Sequence, residues 1–161
     1  MRKEFGKVIV ELMEKDPEIY LISGDIGHGV FDELRRKYPN RFLNIGLCEQ
    51  SMVSVASGMA LEGLKPWVYT ITTFLVERPY EQVKIDINQQ NANVKLVGYA
   101  DYPELGPTHG LSDERLMDRF SNIRCYYPHN SLETRAAAYA AYEHHGPAFI
   151  SLKEDKNASK K

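Results

Sequence analysis

The stretch Ile19-Tyr20-Leu21-Ile22-Ser23-Gly24-Asp25 is the part of the sequence that decides the fold class. Its first four residues are nearly all apolar, without the alternation of a strand that faces water on one side, and the Ser-Gly-Asp that follows is typical of a turn. This pattern predicts a short strand buried on both faces, as in a parallel sheet that helices cover.

Helical and strand-like patterns alternate on both sides of this strand. The predicted strands are 19–22, 42–47, 67–71, 94–99, 123–127 and 148–152. The predicted helices are 5–13, 31–38, 48–62, 80–91, one capped by Ser112 that carries Leu116, Met117 and Phe120, and one that runs from an Asn130–Glu133 capping box to about His145. We therefore predict an α/β fold, in which residues 1–155 form a single three-layer α/β/α domain around a mostly parallel sheet of about six strands. We expect residues 156–161 to be a disordered tail.

The composition excludes several classes of protein. Of the 161 residues 43% are hydrophobic and 26% are charged, which is enough for a packed core. The formal net charge of −2 offers no positive field for nucleic acid or an acidic membrane surface, and no apolar run approaches the ~20 residues of a membrane span. The N-terminus leads directly into a helical pattern instead of a secretory signal. Cys48 and Cys125 stand in unrelated contexts, so we expect a cytoplasmic protein without disulfides and with neither nucleic acid nor membrane as a partner.

Chemically distinctive residues follow the predicted strands directly. Ligands of open parallel sheets bind beyond the carboxyl ends of the strands, and those positions hold the loop Gly24–Gly29, Glu49, Phe74 and His109. The first three also fit a turn, an acid that interacts with a helix dipole, and a core aromatic residue. His109 is less easily explained by packing because turn residues flank it. No metal-ligand spacing and no Gly-x-Ser-x-Gly elbow occurs, so we predict no metal site and no serine nucleophile.

Three segments of the chain, taken in order, resemble one family. They are IGLCEQSMVSVASGMA at 45–60, TFL at 73–75 together with Arg78, Tyr80 and Gln82, and GPTH at 106–109. The first is similar to the segment around the cofactor-activating glutamate of transketolase-type thiamine diphosphate enzymes. The resemblance extends over about residues 24–152, and it is to the pyrimidine-binding domain of transketolases, deoxyxylulose-phosphate synthases and dehydrogenase E1 β subunits.

The resemblance implies how the chain would bind its cofactor. In this family a glutamate carboxyl binds N1′ of the aminopyrimidine of thiamine diphosphate and thereby promotes loss of the C2 proton; Glu49 matches this glutamate. Phe74 matches the ring that stacks on the pyrimidine, and Tyr80 matches an aromatic residue nearby. Asp25 and Ile26 align with an Asp-Leu pair that lines the cofactor pocket.

The resemblance also implies which residues face the substrate. His109 matches a substrate-facing histidine with a catalytic role, Arg78 aligns with an arginine of the synthase branch, and we expect His28 to contact substrate as well. Two positions depart from the family pattern. Leu105 replaces an aspartate that contacts a sugar hydroxyl, and Lys153 stands near the position of a phosphate-binding arginine.

The family's Gly-Asp-Gly…Asn motif, which binds the cofactor's diphosphate and divalent metal, does not occur in these 161 residues. We therefore expect a separate diphosphate-binding subunit to hold Mg²⁺, with two copies of each chain in a heterotetramer. The expected function is that of the pyrimidine-binding subunit of a split transketolase-like enzyme, which transfers a two-carbon ketol unit between small-molecule substrates.

Several alternatives stay open at the level of sequence. The chain could belong to a thiamine diphosphate-dependent 2-keto acid decarboxylase or synthase, or be a non-catalytic regulatory relative. It could also be an unrelated α/β module that binds a nucleotide or flavin, or an excised domain of a longer enzyme.

Overall fold

The computed structural model describes residues 1–100, 102–110 and 113–153. The α-helices are α1 Arg2–Lys15, α2 Asp32–Lys37, α3 Glu49–Leu61, α4 Thr72–Glu77, α5 Tyr80–Gln82 and α6 Ser131–Glu143. The strands are β1 Ile19–Ser23, β2 Phe42–Asn44, β3 Lys65–Ile71, β4 Lys95–Tyr99, β5 Arg124–Tyr126 and β6 Ala148–Leu152. A π-helix over Val83–Gln89 continues α5, and 3₁₀ turns cover Pro39–Arg41, Pro103–Leu105, Pro107–His109 and Glu114–Arg119.

The strands form one sheet in the order β2-β1-β3-β4-β6-β5, and all five pairings are parallel. Parallel neighbours require crossover connections, which the helices between the strands supply. The carboxyl ends of the strands therefore meet at one edge of the sheet. The predicted α/β fold with a parallel sheet is confirmed.

Helices cover both faces of the sheet and complete three layers. On one face α1, α2 and α6 pack against Leu21, Trp67, Tyr69 and Val97. On the other face α3, α4 and the π-helix pack against Ile22, Val68 and Leu96. Because the two faces are covered, β1, β3, β4 and β6 are buried along nearly their whole length, which is why their sequences show no alternation.

Four elements differ most from the sequence prediction. The second strand ends at Asn44 instead of residue 47, because the Asn44 side chain accepts hydrogen bonds from Asp25 N and Gly46 N and the chain turns there. A separate helix, α4, begins directly after β3, and most of the predicted helix 80–91 is π-helical. The predicted helix near residue 116 is a 3₁₀ segment whose cap is Asp113; the predicted cap Ser112 and the tail 156–161 lie outside the described residues.

The predicted Asn130–Glu133 cap begins α6, with the return bond of Glu133 going to the residue before the N-cap. Asn130 Oδ1 accepts a hydrogen bond from Glu133 N at 2.9 Å, and the Glu133 carboxylate accepts one from His129 N at 2.8 Å. Within the described ranges, no helix has both the length and the apolar character to cross a membrane.

A charged clamp joins α1 to α6. Arg135 donates to both carboxylate oxygens of Glu11, at 2.7 and 2.8 Å, and to Glu4 at 2.8 Å, while Tyr139 donates to Glu11 at 2.8 Å. The hydrogen bonds from Arg135 and then from Tyr139 lower the pKa of Glu11 from 4.5 to about 2. Because the clamp is partly exposed, solvent screening keeps its contribution to stability modest.

We predict that Glu11→Gln lowers the free energy of unfolding by about 1 kcal/mol at neutral pH. The pKa of Glu11 is lower in the folded chain than in the unfolded chain, so its contribution is complete above about pH 4.5 and is lost as the pH falls toward about 2. Urea unfolding at pH 7 and pH 3 should therefore show a smaller difference between wild type and variant at pH 3. Glu143→Gln, at an exposed position of α6, is the control and should unfold at the same urea concentration as wild type. An equal difference at both pH values for Glu11→Gln would contradict the prediction.

Candidate functional site

Glu49 is a buried carboxylate at the carboxyl edge of the sheet. It is the first residue of α3, and its exposure is only 1%, although Leu47 and Cys48 before it are exposed. The positive end of the helix dipole favours a negative charge at this position. A buried carboxylate nevertheless requires a partner, because the loss of hydration disfavours the charged form.

Arg78 supplies that partner. Its Nη1 atom lies 3.0 Å from both Oε1 and Oε2 of Glu49, so one nitrogen serves both carboxylate oxygens. Arg78 follows the last residue of α4, and its side chain is 32% exposed against 2% for that of Glu49. The pair therefore combines a buried carboxylate with a guanidinium that reaches it from the surface.

Phe74 and His109 complete a cluster around this ion pair. The Arg78 Cζ atom lies 3.3 Å from the centroid of the Phe74 ring, which is the distance of a close cation–π contact. The His109 ring meets the Phe74 ring edge-on, with centroids 4.7 Å apart and planes at 64°. We call Glu49, Phe74, Arg78 and His109 the Glu49 cluster.

Gly98 sets the position of α4, and with it that of Phe74. A Cβ atom on Gly98 of β4 would lie 2.8 Å from Thr72 Oγ1 and 2.9 Å from Thr72 Cα. Thr72 is fully buried, so this backbone cannot retreat without moving α4. Glycine at position 98 thus allows α4 to begin directly on the neighbouring strand.

The loop that carries His109 is tied to α4 and closed on itself. Thr73, next to Phe74, donates from Oγ1 to Gly110 O at 2.6 Å, and Tyr102 N donates to His109 O at 2.9 Å. Thr108 Oγ1 lies 3.1 Å from His109 Nδ1. These bonds hold the imidazole against Phe74.

Asp25 and Ile26 lie in the loop after β1, at the same edge. Asp25 has a φ of +57°, and Asn44 at the end of β2 holds it by accepting from Asp25 N at 3.1 Å and donating to its carboxylate at 2.9 Å. The Ser23 hydroxyl donates to Ile26 O at 2.7 Å. The loops after β1 and β2 are therefore joined by side chains as well as by the sheet.

Tyr80 and His28 have other neighbours. The ring of Tyr80, which is 38% exposed, packs against Phe120 with centroids 5.3 Å apart. His28 is exposed, lies 3.5 Å from Arg35, and lines an open cavity of about 880 Å³ beside α1. The structure thus links the members of the Glu49 cluster in a chain of contacts, from Glu49 to Arg78, from Arg78 to Phe74 and from Phe74 to His109. Asp25, Ile26, Tyr80 and His28 have other neighbours.

Sequence reasoning missed three features of the site. It predicted a substrate contact for Arg78 but not the ion pair of Arg78 with Glu49. It also gave no role to Asn44 or to Thr73. A polar residue that ends a strand at the ligand-binding edge is the signal that could have singled out Asn44; Thr73 stands inside the quoted TFL block but carries no signal of its own.

The end of β6 is held by charges. Lys153 lies 2.8 Å from Glu114, and the Ser151 hydroxyl donates to the same carboxylate. No group of three or more His, Cys, Asp or Glu side chains that could hold a metal ion is found within residues 1–100, 102–110 and 113–153.

We predict that Gly98→Ala lowers the free energy of unfolding by about 1–3 kcal/mol, because the added methyl group meets the buried Thr72 backbone. Gly58, in the middle of α3, has no neighbouring atom within 4 Å of the place that a Cβ atom would take, so Gly58→Ala is the matched control. That control should stabilise the chain by about 0.5–1 kcal/mol, since alanine favours the helix. Urea unfolding of both variants checks the prediction, and equal effects in the same direction would contradict it.

We also predict an energetic coupling of about 1–2 kcal/mol between Glu49 and Arg78, because the carboxylate is buried and the guanidinium is one-third exposed. A double-mutant cycle of Glu49→Gln and Arg78→Ala, followed by urea unfolding, measures it. The exposed pair Glu33–Lys37 at 3.0 Å serves as the control and should give a clearly smaller coupling, because water screens it. A coupling at Glu49–Arg78 no larger than in this control would contradict the prediction.

Comparison with known proteins assigns the chain to a family. The family model of the transketolase pyrimidine-binding domain matches residues 1–158. The chain is 34% identical over 164 residues to 1-deoxy-D-xylulose-5-phosphate synthase of Carboxydothermus hydrogenoformans, with 96% of this chain and 25% of the synthase covered. It is 37% identical over 121 residues to one subunit of the apulose-4-phosphate transketolase of Actinobacillus succinogenes, with 73% of this chain and 39% of that polypeptide covered.

A solved structure is similar as well. A split-gene transketolase, described as an inactive β4 tetramer, superimposes with a TM-score of 0.84 at 28% identity, and the match covers 94% of this chain and 50% of that one. The chain therefore spans half or less of the length of these relatives. The sequence and structural matches agree in extent, and the chain belongs to the transketolase pyrimidine-binding domain family.

Proposed function

We propose that this chain is the pyrimidine-binding subunit of a split thiamine diphosphate enzyme of the transketolase type, and that the enzyme transfers a two-carbon ketol unit. One observation carries the proposal: a single planar group, the Arg78 guanidinium, contacts both the buried Glu49 carboxylate and the Phe74 ring. The residues at this site thus suit a flat, nitrogen-bearing ring.

The cluster fits the aminopyrimidine ring by its chemistry. A carboxylate accepts hydrogen bonds from ring N–H groups, and an aromatic face stacks on a heteroaromatic ring with roughly 1 kcal/mol beyond burial. Bound thiamine diphosphate supplies a nucleophilic carbon, C2 of its thiazolium ring. We assign Glu49 to hold and exchange the proton at N1′, and Phe74 to stack on the pyrimidine.

His109 faces the same place from the loop after β4. Its ring packs against Phe74, and its backbone is fixed by Tyr102, so the imidazole can meet a substrate next to the cofactor. Asp25 and Ile26 would line the pocket from the loop after β1, and Tyr80 would extend it beside Phe120. We keep substrate contacts as the proposed role of His28 and Arg78, although in this structure His28 lines a cavity beside α1 and Arg78 pairs with Glu49.

The remainder of the cofactor requires groups that the Glu49 cluster does not supply. We propose that a diphosphate-binding partner subunit holds the diphosphate and Mg²⁺, and that two copies of each chain form a heterotetramer. The similarity to a split-gene transketolase, and to a transketolase polypeptide that is itself named as a subunit, supports such a partner. We further propose that residues 1–155 act as one domain in the cytoplasm, in keeping with the free thiols of Cys48 and Cys125.

A second candidate is a decarboxylating synthase. The 34% identity to 1-deoxy-D-xylulose-5-phosphate synthase over 96% of the chain favours it. The two activities differ in the donor substrate, a ketose phosphate for ketol transfer and a 2-keto acid for the synthase. Supplying each donor to the assembled complex separates them by which product forms.

We predict that Glu49→Gln lowers the turnover of the complex by at least about 100-fold, because the amide cannot exchange the proton at N1′. The measurement is steady-state turnover of the chain assembled with its diphosphate-binding partner, together with exchange of the cofactor's C2 proton. Glu62 is the exposed C-cap residue at the other end of α3, and Glu62→Gln should leave both measurements unchanged. Wild-type rates of C2 proton exchange in Glu49→Gln would overturn the assigned role.

A further inference from the structure

We propose that Arg78 competes with the aminopyrimidine ring of the cofactor for both of its binding surfaces, the Glu49 carboxylate and the Phe74 ring. Cofactor binding then requires that the Arg78 guanidinium swing away. This inference rests on the proposed function, because it takes Glu49 and Phe74 as the residues that receive the ring.

The first surface is the carboxylate. Arg78 Nη1 lies 3.0 Å from each Oε atom of Glu49, a geometry that uses both oxygens at once. The carboxylate is 2% exposed, so water does not offer it a second set of donors. A ring nitrogen that approaches Glu49 therefore competes with this guanidinium nitrogen for the same two oxygens.

The second surface is the face of the Phe74 ring. Arg78 Cζ lies 3.3 Å from the ring centroid, so the guanidinium occupies the stacking distance over the centre of the ring. His109 contacts Phe74 edge-on at 4.7 Å. A second flat ring cannot stack on the face that Arg78 occupies until the guanidinium leaves.

The guanidinium resembles the aminopyrimidine in the features that both surfaces require. It is planar and delocalised, it donates N–H bonds to a carboxylate, and it stacks on aromatic rings. The Arg78 side chain thus donates hydrogen bonds to the buried Glu49 carboxylate and at the same time covers the ring of Phe74. This dual contact makes Arg78 a competitor for the whole ring and not for one hydrogen bond alone.

Arg78 is also placed so that it can leave. It follows the last residue of α4, its side chain is 32% exposed, and Pro79 comes after it, so the guanidinium can turn into water without unwinding a helix. Glu49, as the first residue of a thirteen-residue helix, is held in place. The Glu49 carboxylate therefore stays in place while the Arg78 guanidinium moves.

The test is the affinity of the assembled complex for thiamine diphosphate with saturating Mg²⁺ and without substrate, measured by isothermal titration calorimetry. When only a fraction of the protein is in the competent state, the apparent dissociation constant rises by the inverse of that fraction, so Arg78→Ala should bind about 3–10-fold more tightly than wild type. Arg78→Lys should tighten binding less, because an ammonium can still bond Glu49 but cannot lie flat on Phe74. Arg36→Gln, an exposed arginine on α2, is the matched control and should bind as wild type does.

Equal or weaker binding by both Arg78 variants would overturn the competition. If Arg78→Ala fails to assemble, the competition is tested by the affinity of Arg78→Lys and by the side-chain NMR signal of Arg78 in the wild-type complex. Saturating cofactor should shift the Arg78 Nε–Hε signal and speed its exchange with water, and an unchanged signal refutes the competition. The proposed function fails on a different result, namely a wild-type complex that binds no thiamine diphosphate. Cofactor binding by wild type together with loss of turnover in Glu49→Gln supports the function whatever Arg78 does.

Discussion

The burial of one carboxylate organises this site. Glu49 is nearly inaccessible to water, and a negative charge in such a place is tolerated only with a compensating group. The dipole of α3 and the guanidinium of Arg78 supply that compensation. Arg78 also covers the ring of Phe74. The ion pair with Glu49 therefore also determines which group lies on that ring.

The parallel sheet explains why these residues can meet at all. Glu49 follows β2, Phe74 and Arg78 follow β3, and His109 follows β4. Since β2, β1, β3 and β4 are neighbours in that order and run in the same direction, their carboxyl ends lie side by side. The close approach at Gly98 then lets α4 begin without a loop, which brings Phe74 close to the sheet. The geometry at this edge of the sheet therefore depends on Gly98 as much as on the side chains of the Glu49 cluster.

The sequence predicted much of the fold, and particular residues show which features it could not predict. The largely apolar runs of β1, β3, β4 and β6, without a regular alternation of polar residues, indicated a sheet covered on both faces, and the structure confirms it. Asn130 and Glu133 predicted the start of α6 correctly, because a cap is a local interaction between residues three apart. The second strand was predicted three residues too long, since its end depends on Asn44 reaching Asp25, nineteen residues earlier.

The sequence by itself determined the alternation of strands and helices, the family resemblance, and the residue types that collect at the edge of the sheet. Those properties depend on hydrophobic periodicity and on short motifs, which are local along the chain. Only the tertiary structure decided that Arg78 bonds Glu49 across twenty-nine positions and lies over the ring of Phe74, and that His28 lines a cavity beside α1. The direction of a long, flexible side chain is set by which buried charge it can reach, and that charge becomes its neighbour only when the sheet and its helices have come together.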